Sequence, residues 1–321
     1  MKKVLFGAIS MLLIDSDNAF GNSKDANVHA KLNLISEEKF DLTSKIAAQG
    51  NAAIQFERAY AHYNGKDANG KDVKKDFKKA FKLFSEAAEL GNVAALLELG
   101  YMYHRGEGVA KDPKKASELY SKAFERYSKA AEQGDAVALF KLGSMYFYGK
   151  GVPGSHIKAI ELYSKAAELG NTDAMCSLGT IHFDNFVLEK ALKWLLMAAE
   201  KGNISAMNKL GFIFYDAGGP KNYGHAFKWY LKAAELGNLD AMFKVGIMHD
   251  RGEGVKKDCK KAIEWFSKAA TQGHVDSQLE LGDKYYDGEC VAKNLKKAIE
   301  LYSKAAELGN DKARIRLERL P

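Results

Sequence analysis

Three cysteines, eight histidines and a set of glycine-rich turns are the residues of this 321-residue chain whose types come nearest to doing chemistry. The turns read GEGV at 106–109, GKGV at 149–152 and GEGV at 252–255, superficially like phosphate-binding loops. They lack the Gly-Lys-Ser or Gly-Lys-Thr of a phosphate loop and recur along the chain, which makes them structural turns. No H-E-x-x-H, no G-x-S-x-G and no dinucleotide fingerprint after a strand is present. His62, His182 and His249 each stand twelve residues beyond a recurrent glycine, where other copies hold Tyr103, Tyr146, Phe214 and Tyr285. They read as substitutes for a core aromatic rather than as metal ligands. Trp194, Trp229 and Trp265 share one position with Leu83, Leu119, Leu162 and Leu301, and read as packing residues. Three cysteines are too few for a disulfide-dense scaffold. No catalytic residue, metal or cofactor is expected.

The recurrent glycines belong to one phrase. SKAAELGN at 303–310 reappears unchanged at 164–171, with variants at 44–51, 85–92, 128–135, 196–203, 231–238 and 267–274. Its marker glycines, Gly50, Gly91, Gly134, Gly170, Gly202, Gly237, Gly273 and Gly309, lie 41, 43, 36, 32, 35, 36 and 36 residues apart, so the period is 36. Nine residues past the marker a second glycine (Gly100, Gly143, Gly179, Gly211, Gly246, Gly282) sits in an apolar stretch, with Ala59 in its place in the first copy. A turn and a second amphipathic run complete the period, which reads as helix A, turn, helix B. Asp112 before Pro113 is an N-cap signal for helix B, and Asp258 and Asn294 occupy equivalent sites. The marker glycine ends helix B, because a left-handed residue there costs glycine little.

Glycine inside helix A is worse than alanine by about 0.5–1 kcal/mol. Close approach of a neighbouring helix would offset that cost, and the paired alanines near the end of helix B serve the same purpose. Slots four, five, eight, eleven and twelve beyond the marker, in the second copy Ala95, Leu96, Leu99, Met102 and Tyr103, form one buried face. The irregular spacings keep the helices. Seven extra residues before Gly134 fall inside helix B (SKAFERYSKAAEQG), two turns with only about 20° of phase drift. Five extra residues at 64–72 and four missing ones at 182–191 fall in the turn, where length is tolerated. The turns HFDNFVLEKA and DAGGPKNYGHA depart from the G-x-G-V pattern.

Lys2 and Lys3 followed by the apolar run Val4 to Ile14 have the layout of a secretory signal, too short for the roughly 20 residues of a membrane span. Ala19-Phe20-Gly21 supplies a small-x-small cleavage pattern. Residues 1–21 are thus expected to be a signal peptide, 22–30 a disordered linker and 31–321 the repeat domain. A periplasmic or secreted location follows, with a cytoplasmic one as the alternative. The net charge of +7 survives cleavage, since Lys2, Lys3, Asp15 and Asp17 leave together. The lysines stand beside glutamates at helical spacing, as in KKAIEW at 260–265, so no nucleic-acid partner is expected.

A unit with A-x-x-x-L-G-x-x-Y in helix A, G-x-G-V in the turn and K-A-A-E-x-G-N at its end resembles the Sel-1-like repeat family over residues 31–320. Tetratricopeptide repeats are similar but shorter and lack the G-x-G-V turn. The resemblance implies an all-α fold: a right-handed α/α superhelix of about seven helix-turn-helix repeats, with a capping helix at 310–320, used to hold partner proteins. Bacterial members are often exported. A cysteine-rich branch links helix pairs by a disulfide, and some members bind or hydrolyse β-lactams. Cys176 resembles one half of that bridge, but its partner position holds Ala166 or Ala167. With Cys259 and Cys290 placed in other turns, reduced thiols are expected. A β-lactam-directed hydrolase is the alternative function, and it lacks both the cysteines and an evident nucleophile.

Slots three, seven, ten and fourteen of helix A vary freely and form a single stripe. In similar repeat folds, stacked stripes line the concave face. The partner-binding residues expected there are Tyr60, Tyr101, Arg105, Lys141, Tyr148, Lys209, Phe212, Lys244 and Arg251. Aromatic and arginine side chains are the types enriched at binding hot spots. The chain is expected to be a monomeric, non-catalytic scaffold that binds another protein or peptide.

Overall fold

The computed structural model describes residues 50–66, 73–216 and 219–320. The expected signal peptide, the linker, residues 31–49 of the repeat domain and Pro321 lie outside the described residues. Helices A and B alternate: residues 50–64 (α1) and Phe77–Glu89 (α2), Val93–Arg105 (α3) and Pro113–Glu132 (α4), Ala136–Tyr148 (α5) and His156–Glu168 (α6). Thr172–Asp184 (α7) and Leu188–Glu200 (α8) follow, then Ile204–Asp216 (α9) and Tyr223–Glu235 (α10), and Leu239–Arg251 (α11) and Cys259–Thr271 (α12). Val275–Asp287 (α13) and Leu295–Glu307 (α14) form the seventh pair, and Asp311–Glu318 (α15) closes the stack. Each helix packs chiefly on its sequence neighbours, the signature of a solenoid.

The Gly-Asn pair in the repeated phrase both stops and starts helices. Gly91, Gly134, Gly170, Gly202, Gly237, Gly273 and Gly309 are left-handed, with φ between +81° and +96°. Gly50 differs, being helical within α1. The residue after the marker then caps helix A: Asn92 accepts from the Ala95 amide at 3.0 Å, and Asn171 from that of Ala174 at 2.8 Å. Asp112, Asp258 and Asn294 cap their B helices at 3.0, 3.1 and 3.0 Å. Each such cap contributes about 1 kcal/mol.

The second glycine is where the two helices of a repeat touch. A Cβ at Gly143 would lie 2.7 Å from the Tyr163 ring, and one at Gly282 would lie 2.6 Å from that of Tyr302. Tyr120, Leu195, Tyr230 and Phe266 press on Gly100, Gly179, Gly211 and Gly246 in the same way. Ala95, Leu96, Leu99 and Met102 are buried as their spacing predicts. Repeat 2 carries its insertion as one unbroken 20-residue helix, α4. The turn glycines Gly108 and Gly254 pack on Phe77 and Tyr223, the first residues of the preceding B helices, whereas Gly151 packs on Tyr120, seven residues into α4. Repeats from the third onward are therefore displaced by about 10 Å along α4, at 1.5 Å per residue.

One apolar cluster runs from Leu139 to Ala269, and smaller ones lie at each end. In α15 only Ala313 is buried, and charged Arg314 and Glu318 occupy the slots of Leu96 and Gly100.

The cysteines correct the reduced-thiol expectation. Cys259 and Cys290 form a disulfide, with Cα atoms 5.9 Å apart, while Cys176 is free and half-buried. Cys259 is the first residue of α12 rather than a turn residue. Cys290 fills the second-glycine slot of the turn GECV, with φ +64°. The bond joins two repeats instead of the helices of one, because this turn, like those of Gly108 and Gly254, docks on the start of the preceding helix B.

Candidate functional site

The helix-A stripe opens with an aromatic neighbourhood. Tyr60 on α1 is 39% exposed and lies 5.7, 6.4 and 6.2 Å, between ring centroids, from Phe56, Tyr63 and Phe84. Tyr101 on α3 is half-buried, edge-on to Tyr120 at 5.6 Å, with the Lys150 ammonium 5.3 Å from its ring. Burial, then the charge of Glu98, raises the hydroxyls of both Tyr60 and Tyr101 above the ordinary phenol range. Burial also pushes the Glu98 carboxyl up, against the pull of Lys141 and Arg105. Tyr148 on α5 is 65% exposed. Tyr60, Tyr101, Arg105, Lys141 and Tyr148 thus share one surface across three repeats.

Lys209 and Phe212 form a second group. Phe212 is 43% exposed and edge-on to Phe183 of α7 at 6.1 Å. Lys209 acts on Cys176, whose thiol burial pushes up to about 11, leaving it protonated and inert at neutral pH. Lys244 and Arg251 form a third: the Lys244 ammonium lies 5.9 Å from the Phe243 ring, and Arg251 lies 3.8 Å from Glu253. Arg251 also pulls on Glu280 of α13, whose carboxyl burial and the neighbouring Asp283 raise. The nine residues are three neighbourhoods strung along the solenoid rather than one pocket. Where α13 meets α15, a cavity of about 290 Å³ is lined by Asp283, Tyr302, Arg316 and Arg319 among others. Tyr302 Oη donates to Asp283 at 2.7 Å, and Arg316 Nε donates to the same oxygen at 2.9 Å.

Turn residues passed over in the sequence tie the stripe together. Tyr63 Oη donates to Glu107 at 2.6 Å, and Tyr215 Oη to Glu253 at 2.7 Å, each reaching from one helix A to the next repeat's turn. Burial, reinforced by these bonds, pushes both phenols up to about 12. The two glutamates also hold Arg105 and Arg251, at 3.7 and 3.8 Å. Where the turn reads GKGV, the preceding slot thirteen is His104 instead of tyrosine, and Lys150 turns onto Tyr101 and Tyr120. That joint change between turn and slot was the available signal.

His249 and the three tryptophans are packing residues. His249 is buried edge-on to Phe227 at 5.2 Å. In the same slot Tyr103, Tyr146 and Tyr285 lie under Lys115, Lys158 and Lys297, at 5.4, 5.2 and 4.5 Å. Trp194, Trp229 and Trp265 pack half-buried against the main core. Among the described residues, no group of three or more His, Cys, Asp or Glu is placed to hold a metal, and no helix is long and apolar enough to cross a membrane.

The family model described as "Sel1 repeat" matches residues 52–92, 93–128, 120–135, 136–171, 172–203, 204–238, 239–274 and 275–310. Two of those matches overlap on α4, which carries the end of one repeat in two registers. Among solved structures, a Sel1 repeat protein from Oxalobacter formigenes is 27% identical, with 79% of this chain and 96% of that one covered, at a TM-score of 0.52. The protective antigen c5321 of uropathogenic Escherichia coli, described as displaying an SLR fold, is 29% identical over 86% of this chain and 66% of its own, at 0.43. Cysteine rich protein B of Helicobacter pylori is 30% identical over 39% of this chain and 91% of its own, at 0.33. No curated protein matches.

Proposed function

Because the chain belongs to the Sel1 repeat family, whose members generally mediate protein–protein interactions, we propose that it is a non-catalytic scaffold gripping a segment of another polypeptide along its helix-A stripe. One observation carries this reading. Slots that pack hold mostly small and apolar residues from copy to copy, whereas the stripe slots range over acidic, basic, small and aromatic types, from Tyr101 and Arg105 in repeat 2 to Ser177 and Thr180 in repeat 4, while presenting Tyr60, Tyr148, Phe212, Arg105 and Arg251 to solvent. A surface released from the packing rule is free to specify a partner, and rigid aromatics with arginine are what such surfaces use. Export through residues 1–21 to the bacterial envelope or beyond belongs to the same proposal. The Cys259–Cys290 bond supports it, since disulfides persist in oxidising compartments. The charged face of α15 supports a monomer, by opposing end-to-end stacking.

The test is capture from the native cell. Replacing Tyr101, Lys141 and Phe212 together by alanine is expected to abolish recovery of the partner that the unaltered protein captures, with helical content intact by circular dichroism. Equal recovery removes the stripe. N-terminal sequencing of the cell-derived protein tests the signal, with Asn22 as the expected first residue.

A further inference from the structure

We propose that the joint between repeats 6 and 7 is a redox-operated latch. The Cys259–Cys290 disulfide holds α13–α15 onto the solenoid, and a dithiol reductant releases them.

The apolar packing at this joint is reduced to Leu281 against Ala262, Phe266 and Ala270. Slots four, five and eleven of helix A hold Ala241, Met242 and Met248 in repeat 6 but Ser277, Gln278 and Lys284 in repeat 7, and all six are buried. The large core ends at Ala269, and Leu279 and Leu281 fall into two small separate clusters. Polar groups replace it incompletely. Lys284 Nζ reaches Asp250 across the joint at 2.9 and 3.0 Å and Glu289 at 2.9 Å. Gln278 donates to the Ala270 carbonyl at 3.2 Å, but its own side-chain oxygen is buried without a partner. A joint of this kind gains less from burial than its neighbours and carries a desolvation penalty.

The turn shows what takes over. Gly108, Gly151 and Gly254, at φ +71°, +72° and +70°, lie so close to the preceding helix B that a Cβ would collide with its backbone. Cys290 keeps that left-handed backbone while carrying a side chain. The side chain is accommodated because it is bonded to Cys259, the counterpart of the Phe77 and Tyr223 on which Gly108 and Gly254 pack. With the bond open, a non-glycine residue is left in a glycine conformation against a helix start, without the covalent tie that accommodates it.

The step is thiol–disulfide exchange. One thiolate of the dithiol attacks a sulfur of the pair and expels the other as a thiolate, and the second thiol then resolves the mixed disulfide. Two electrons and two protons pass to the protein, and the reagent leaves as a cyclic disulfide. If the stripe binds as proposed, reduction detaches its last part, around Asp283 and Arg316, from Arg251.

Hydrogen exchange on the intact protein with and without dithiothreitol tests the latch without any partner, so its failure leaves the binding proposal standing. Reduction is expected to speed exchange across 275–320 at least tenfold and to leave 172–235 unchanged as the internal reference. Cys259→Ser is expected to exchange fast in 275–320 under both conditions. Cys176→Ala is expected to keep the full response. Equal exchange in oxidised and reduced protein overturns the latch, and so does a response that disappears with Cys176.

Discussion

Phe186 in repeat 4 and Cys290 in repeat 7 are the non-glycine residues with positive φ among the described residues, at +59° and +64°. Their turns meet that demand in opposite ways. The repeat 4 turn is four residues short, and Phe186 stands 96% exposed. Ile157, at the start of the preceding helix B, is 74% exposed, and no turn glycine packs beside it. The repeat 7 turn is full length and is bonded to that helix start. The difference shows that the turn is a docking element as well as a connection. At full length it presses so tightly on its neighbour that it takes a glycine or a covalent bond, and when shortened it leaves the neighbour bare.

The sharpest way to break this comparison is to put a side chain into a full-length turn that has no bond. Gly254→Val, at φ +70° and against the Tyr223 carbonyl, is expected to cost about 3 kcal/mol or more in urea unfolding, by combining backbone strain with overpacking. Phe186→Val, at similar φ but in the open turn, is expected to cost under about 1 kcal/mol. Equal losses would mean that turns do not dock. Phe186→Gly is expected to act in the other direction, raising stability by up to about 1 kcal/mol because glycine tolerates the left-handed region.

The smallest effect concerns pH and repeats with full-length turns. Burial, then the Lys261 charge, holds the His249 imidazole below its ordinary 6.5, and its Nδ1 is buried without a partner. As pH falls below about 6.5 the unfolded chain takes up this proton first, so the folded state loses stability. His249→Phe is expected to flatten that part of the thermal-midpoint profile between pH 7 and 5.5. A parallel profile for the two proteins would show that the histidine stays uncharged for no energetic reason.

Much of the fold was legible because its determinants act locally or recur. The Gly-Asn phrase, the Asp112-Pro113 start and the slot-nine glycines each predicted a boundary or a contact that the structure contains. The candidate site was legible as a list of slots but not as neighbourhoods. Lys141 comes near Glu98, which stands one turn from Tyr101 on α3, through the stacking of one repeat on the next, and Lys150 joins them from a turn that reads as a mere connector. The cysteines were misread because a partner was sought within one repeat, whereas turn docking brings together residues 31 apart in different ones.

Alone, the order of residues determined the period, the helix boundaries and the faces that pack, since capping, left-handed glycine and helical spacing are settled within a few residues of chain. Only the stacked structure decided which side chains of separate repeats meet, including Cys259 with Cys290 and Lys284 with Asp250. Those meetings depend on how one rigid helix pair seats on the next, and that geometry exists only once both are folded.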